Sequence, residues 1–267
     1  MLELGRIVDR YRVDAAVWEG ADADVYRATH RWLGTVHALK IARAEAALLE
    51  ARVQARLVHP NVVRVTDAFE VDGGWGWAAD WVNGPSLAEW LNGRGAVPPT
   101  VAVPLFRGVL HGVAHAHRHG VVHRDLKPEN ILLERGPGGL IPRVADFGGC
   151  TVAGDGRWSR GVGGPSGTPE YLAPERLDDP DTGDARVDLF SLGCVLYELL
   201  CGRVAFDAPT PAQAYRRVRA LDYTPVTVAC DDVPAALAEL VERLLQADPG
   251  RRPQTCDEVL AALGDHG

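Results

Sequence analysis

The sequence predicts an α+β fold in two lobes. Three observations carry this. The first third reads as strands with one helix, the remainder is mainly helical, and the two parts meet at a short hinge near Asp80–Gly84. The 267 residues suffice to bury a substantial core. One domain over 1–267 is expected, with lobes at about 8–82 and 85–265 and the hinge at about 80–84.

In chain order, Val25–Ala28 and Val36–Ile41 are short β-leaning runs, and Arg43–Leu57 is rich in Ala, Leu, Glu and Arg, which favours a helix. Val62–Val71 and Gly76–Val82 read as a strand pair turning at Asp72-Gly73-Gly74. Ser86 and Glu89 form a capping box ahead of Leu87 and Leu91. Val101, Leu105, Val109 and Val113 predict one buried helix face, ending at Gly120. Ile131–Leu133 and Arg143–Ala145 flank Gly136-Pro137-Gly138-Gly139 as a hairpin, and Leu189–Leu200 is apolar enough for a buried helix. Pro234 opens another helix at its first position. Thr255 with Glu258 caps the last, which ends near Gly264. Gly148–Gly167 is the longest stretch without pattern, and a loop of that length is usually functional.

Composition narrows the function classes. With 46% apolar and 24% charged residues the chain is globular, and a net charge of −8 argues against a nucleic-acid partner. Five scattered cysteines read as reduced thiols of a cytoplasmic protein. No signal leader and no apolar run of about 18–20 residues is seen, so no membrane span is expected. Of 28 basic Lys and Arg residues only two are lysine, Lys40 and Lys127. Lysine is a compact point charge and arginine a wide planar fork. Lysines retained in an arginine-rich chain are therefore candidates for tight phosphate contacts.

The strongest chemical signal is His123-Arg124-Asp125-Leu126-Lys127-Pro128-Glu129-Asn130. It sets a carboxylate, a lysine and an asparagine at fixed offsets before an apolar strand. Phosphoryl transfer needs such a set: a carboxylate to orient the hydroxyl, a cation for the moving phosphate and an oxygen ligand for magnesium. Asp146-Phe147-Gly148 follows at a specific spacing, and His37-Ala38-Leu39-Lys40 precedes. Gly167-Thr168-Pro169-Glu170-Tyr171-Leu172-Ala173-Pro174-Glu175 and Asp248-Pro249-Gly250-Arg251-Arg252-Pro253 complete the series.

Together these segments resemble the catalytic domain of eukaryotic-type serine/threonine protein kinases, bacterial members included, over about Tyr11–Leu263. The resemblance implies an antiparallel-sheet N-lobe with one helix, a mainly helical C-lobe, and transfer of the γ-phosphate of Mg-ATP (or Mn-ATP) to protein hydroxyls. It implies Asp125 as catalytic base, Lys127 on the γ-phosphate, and Asn130 and Asp146 as metal ligands. Lys40 should contact the α- and β-phosphates, with Glu50 as its ion-pair partner, and Thr168 should hydrogen-bond to Asp125 or Lys127. Glu175 should pair with Arg252, and Asp188 should anchor the catalytic loop. Gly20, Ala23, Val25, Ala38, Lys40 and Leu132 should enclose the nucleotide, with Asp80 and Val82 offering backbone groups to adenine and a small Ala79 enlarging the pocket. The stretch between Lys40 and Glu50 is shorter than in the family, so the helix is expected to sit inward without activation.

The chain departs from the pattern in its glycine-rich loop. Aligned on Val25 it offers Trp18, Gly20 and Ala23, with Asp22 and Asp24 near where phosphates should lie, unless the acidic loop points outward. A nucleotide-binding or scaffold module with weak catalysis is therefore the alternative. A kinase of small molecules is a third reading, disfavoured by the docking segment and Arg252. Arg124 is a candidate receiver of an activation-loop phosphate, with Thr151, Ser159 and Ser166 as acceptors. His111, His115, His117 and His119 read as packing rather than a metal cluster, and Trp75, Trp77 and Trp81 as lobe and hinge packing. A protein substrate is implied, and any regulator is expected on a separate chain.

Overall fold

The computed structural model describes residues 2–20, 23–43, 46–71, 73–152, 168–179, 182–230 and 232–264. Its first lobe is a six-stranded antiparallel sheet: β1 (Ile7–Val8), β2 (Tyr11–Glu19), β3 (Ala23–His30), β4 (Val36–Ala42), β5 (Val65–Val71) and β6 (Gly74–Asp80), in the order β1-β2-β3-β4-β6-β5. Helix α1 (Ala46–Gln54) lies between β4 and β5 in the chain.

Period-two alternation gives this sheet two working faces. Tyr11, Val13, Tyr26, Ala28, Leu39 and Phe69 form a core on the outer face. Ala23, Ala42, Val65, Trp77 and Ala79 point the other way, packing with Ala51 of α1, with Val63 and Val82, and with Leu132 and Ala145 of the second lobe. The cleft between the lobes is roofed by this second face.

The second lobe comprises α2 (Leu87–Leu91), α3 (Pro99–Arg118), β7 (Val121–Val122), β8 (Ile131–Gly136), β9 (Gly139–Val144), β10 (Thr151–Val152), α4 (Arg186–Cys201), α5 (Pro211–Ala220), α6 (Val226–Ala229), α7 (Ala235–Leu244) and α8 (Cys256–Leu263). The β8–β9 hairpin pairs from Ile131↔Val144 to Gly136↔Gly139, as the glycine-rich turn predicts. Ser86 and Glu89 make both limbs of the capping box on α2. Helix α4 is buried from Val187 through Tyr197 and centres the large core that joins α2, α3 and α7. Among the described residues no helix is long and apolar enough to cross a membrane.

Several expected boundaries move. The helix expected over Arg43–Leu57 covers only Ala46–Gln54, which leaves Arg43 free of helical geometry at the end of β4. The strand expected from Val62 begins at Val65, and Val62 makes an isolated bridge to Val144. The strand expected over Gly76–Val82 runs from Gly74 to Asp80, so Gly74 belongs to it rather than to the turn; Asp72 lies outside the described residues. Val101 is 42% exposed, whereas Leu105, Val109 and Val113 are buried. Spacing of four advances about 400° per step, so over three steps the row drifts by about 120° around the axis. Pro234 is the N-cap of α7 rather than its first helical residue.

Candidate active site

The loop between β7 and β8 is built from below. Asp188, in the first turn of α4, is fully buried and accepts the backbone N–H of His123 and of Arg124, each at 2.8 Å. His117 Nε2 lies 2.8 Å from the same carboxylate. Burial alone would raise the Asp188 pKa, but His117, His123 and the Arg124 N–H together outweigh it, and the net shift is downward. The expected anchor is thus in place. Arg124 takes φ +69°, a left-handed conformation that costs a non-glycine residue of order 1–3 kcal/mol. The Asp188 bonds hold it there.

On this support the loop's side chains converge. Asn130 Nδ2 donates to Asp125 O at 2.8 Å and to Asp125 Oδ2 at 3.1 Å. Lys127 Nζ lies 3.4 Å from Asp125 Oδ2 and donates to Thr168 Oγ1 at 3.0 Å. Of the two partners expected for Thr168, Lys127 is the one observed.

Facing them, Lys40 Nζ in β4 donates to Glu50 Oε1 at 2.9 Å and to Asp146 Oδ1 at 2.7 Å. It also sits 5.2 Å above the ring of buried Trp77. Burial would lower the Lys40 pKa, yet the Glu50 and Asp146 carboxylates outweigh it and the ammonium is held charged. Burial raises Glu50, against the pull of Lys40. Asp146 takes φ +61° and is 46% exposed towards the cleft. Desolvation pushes its pKa up, contact with Lys40 pushes it down further, and the net shift is downward. Gly148 and Gly149 thread between these groups. A Cβ on Gly148 would meet Glu50 Oε2 at 3.1 Å, and one on Gly149 would meet Asp125 Cβ at 3.7 Å.

The expected nucleotide wall is also drawn together. Ala23, Ala79, Val82 and Leu132 share one apolar cluster with Ala145, which precedes Asp146. Ala38 pairs with Ala79, and Val25 with Lys40, across adjacent strands. Asp80 ends β6 where the hinge begins. Gly20 sits just beyond β2, its N–H donating to Ala23 O at 3.1 Å. Residues 21 and 22, including Asp22, lie outside the described residues.

Asp24 does not face the phosphate side. It shares the outer face of β3 with Tyr26, is 7% exposed, and pairs with Arg43 at 3.1 Å. Strand alternation places it opposite Val25, so its charge is directed away from the cleft. The Arg124 guanidinium donates to Thr182 O and Gly183 O, each at 3.0 Å. Thr151 lies in β10, paired with Val122. Ser159, Ser166 and Gly167 lie outside the described residues.

Of the remaining histidines of α3 and its end, His111 is exposed and His115 packs. His115 stacks on His59 at 5.0 Å and meets His119 at 4.3 Å. Among the described residues no group of three or more His, Cys, Asp or Glu could hold a metal ion. Asp146, half open to the cleft, and the amide oxygen of Asn130 offer a sparse set of oxygen donors. That suits Mg²⁺, which is held by one or two carboxylates and substrate phosphates rather than by an all-protein cage. Farther out, Arg252 forks onto Glu175 at 2.8 and 2.7 Å with its side chain fully buried, as expected.

Sequence reasoning missed Trp77 beneath Lys40, His117 on Asp188 and Arg43 on Asp24. No spacing rule signals any of these, because each partner comes from a separate element.

This two-lobed fold with its cleft defines a class. Residues 11–262 match the family model described as the protein kinase domain, and the chain belongs to that family. It is 34% identical to the serine/threonine-protein kinase pkn2 of Myxococcus xanthus over 95% of this chain and 32% of that protein. A probable serine/threonine-protein kinase of Streptomyces coelicolor is 34% identical over 97% of this chain and 40% of its own length. The serine/threonine-protein kinase PknL of Mycobacterium bovis is 37% identical over 94% of this chain and 64% of its own. The chain thus spans about a third of the first of these relatives and 40% of the second.

Proposed function

We propose that this chain is a serine/threonine protein kinase that transfers the γ-phosphoryl group of Mg-ATP to protein hydroxyls. The observation that carries this is the Asp125 carboxylate, bracketed by Asn130 at 3.1 Å and Lys127 at 3.4 Å, with Lys127 bound in turn to Thr168. A carboxylate so held can orient a substrate hydroxyl and take its proton. Lys127 beside it supplies positive charge where the phosphoryl group passes. Thr168 fixes the Lys127 ammonium and ties it to the segment on which a peptide would lie.

Across the cleft Lys40, kept charged by Glu50 and Asp146, is the cation for the α- and β-phosphates. Asp146 and Asn130 would hold Mg²⁺, which when bound offsets phosphate charge. Adenine fits the apolar wall of Ala23, Val25, Ala38 and Leu132, against the backbone of Asp80 and Val82, and a small Ala79 leaves room behind it. The relatives' names as serine/threonine kinases support the choice of hydroxyl acceptor.

The test is incubation with γ-labelled Mg-ATP and a generic protein, followed by identification of the labelled residue. Phosphoserine or phosphothreonine is expected. Label confined to a small molecule, or none above an Asp125→Asn control, contradicts the reading.

A further inference from the structure

The segment that should cover the phosphates lacks two of the family's glycines, yet the strand ends on either side of it are tied together. Arg43, one residue beyond β4, reaches both of them. One guanidinium nitrogen donates to Gly20 O at 2.9 Å, on the β2 side. The other donates to Asp24 Oδ2 at 3.1 Å and Oδ1 at 3.3 Å, on the β3 side. Asp24 is buried, at 7% exposure, and Tyr26 Oη donates to it at 3.4 Å. From the other direction the Trp18 ring lies on Gly20, where a Cβ would come within 1.9 Å of a ring carbon.

A buried carboxylate is costly unless paired, so Asp24 fixes where the guanidinium sits. The guanidinium's planar fork then fixes the Gly20 carbonyl. A glycine-rich loop is mobile and loses that freedom when it closes on a ligand. Here Gly20 and Asp24, at the facing ends of β2 and β3, are joined beforehand, which lowers the entropy cost of binding.

We propose that Arg43 is a positioning residue for the nucleotide. It acts through Asp24 and the Gly20 carbonyl and offsets the missing glycines by holding the ends of β2 and β3 in place. This rests on the ATP reading above.

The test is calorimetric binding of Mg-ADP, with steady-state kinetics in ATP, for wild type, Arg43→Ala, Arg43→Lys, Asp24→Asn and the Asp24→Asn/Arg43→Ala double variant. Arg43→Ala should raise Kd and KM for nucleotide by about tenfold, the size of one charge-assisted hydrogen bond, with kcat at saturating ATP within about twofold. Arg43→Lys should recover part of the loss. Asp24→Asn should weaken binding similarly, and the double variant should be no worse than Arg43→Ala, because both act through one contact. The double variant also removes the unpaired buried carboxylate, so its melting temperature separates loss of fold from loss of positioning. Additive losses, or tight binding by Asp24→Asn with weak binding by Arg43→Ala, overturn the proposal in favour of a direct phosphate contact. Equal affinity in all variants overturns it outright. Failure of wild type to bind Mg-ADP overturns the nucleotide site itself, and the proposal with it.

Discussion

Lys40 of β4 and Glu50 of α1 are joined at 2.9 Å across only three residues of connection between strand and helix. The second carboxylate oxygen lies 3.2 Å from the same nitrogen. The pair sits in the closed geometry with Asp146 already bound to Lys40.

This geometry predicts that activity needs no prior phosphorylation, because a short connection limits outward swing of α1. Phosphatase-treated protein should show linear progress curves from time zero. A lag abolished by preincubation with Mg-ATP would argue for a helix that must first be drawn in. In the same assay Glu50→Gln should lower kcat/KM by about tenfold or more, the loss of one charge-assisted contact that orients Lys40.

Ala79 is buried in the apolar cluster shared with Ala23, Val82 and Leu132. Ala79→Met should cut sensitivity to bulky ATP-competitive inhibitors by about tenfold, since the longer side chain takes the room they need and such a clash costs roughly 1–3 kcal/mol. Equal inhibition of both proteins would place the pocket elsewhere.

Arg252 is fully enclosed and divides its donors among Glu175 and the carbonyls of Arg186, Gln246 and Ala247. Arg252→Met should cost about 3–5 kcal/mol by stranding these acceptors. For a chain of this size the melting temperature should fall by on the order of 10 °C. A loss within a degree or two would mean the pair is solvated in solution.

Three imidazoles set an acid limb of stability. His37, His59 and His115 all have pKa values lowered, chiefly by burial and also by neighbouring histidines. A base with a depressed folded pKa binds fewer protons folded than unfolded. Its contribution is complete above the unfolded value of about 6.5 and is lost progressively as pH falls below it through the depressed folded value. The melting temperature should therefore drop between pH 7.5 and 5.5. Replacing His59 and His115 together by Gln should flatten that slope. An unchanged slope would assign it to other groups.

Much of the site was legible because phosphoryl transfer forces particular residue types to particular offsets. Asp125, Lys127 and Asn130 lie within one loop, and in an arginine-rich chain the two lysines stand out. What escaped was whatever two distant segments make together, such as Trp77 under Lys40 and Arg43 across Asp24 and Gly20. In the fold, β2 was missed because bulges between Val13 and Ala15 and between Ala16 and Trp18 break its alternation. The concern over acid near the phosphates failed for Asp24 because composition counts a charge without its direction, and strand alternation turns this one outward.

Asp125 is proposed to work on a nucleotide held by the cleft opposite it. The most direct measurement pairs Mg-ADP calorimetry with single-turnover phosphoryl transfer in wild type and Asp125→Asn. Nucleotide affinity should be kept within a few-fold while transfer falls by about 10²–10⁴, the contribution of a positioned base. Transfer that survives Asp125→Asn at the wild-type rate would contradict the account.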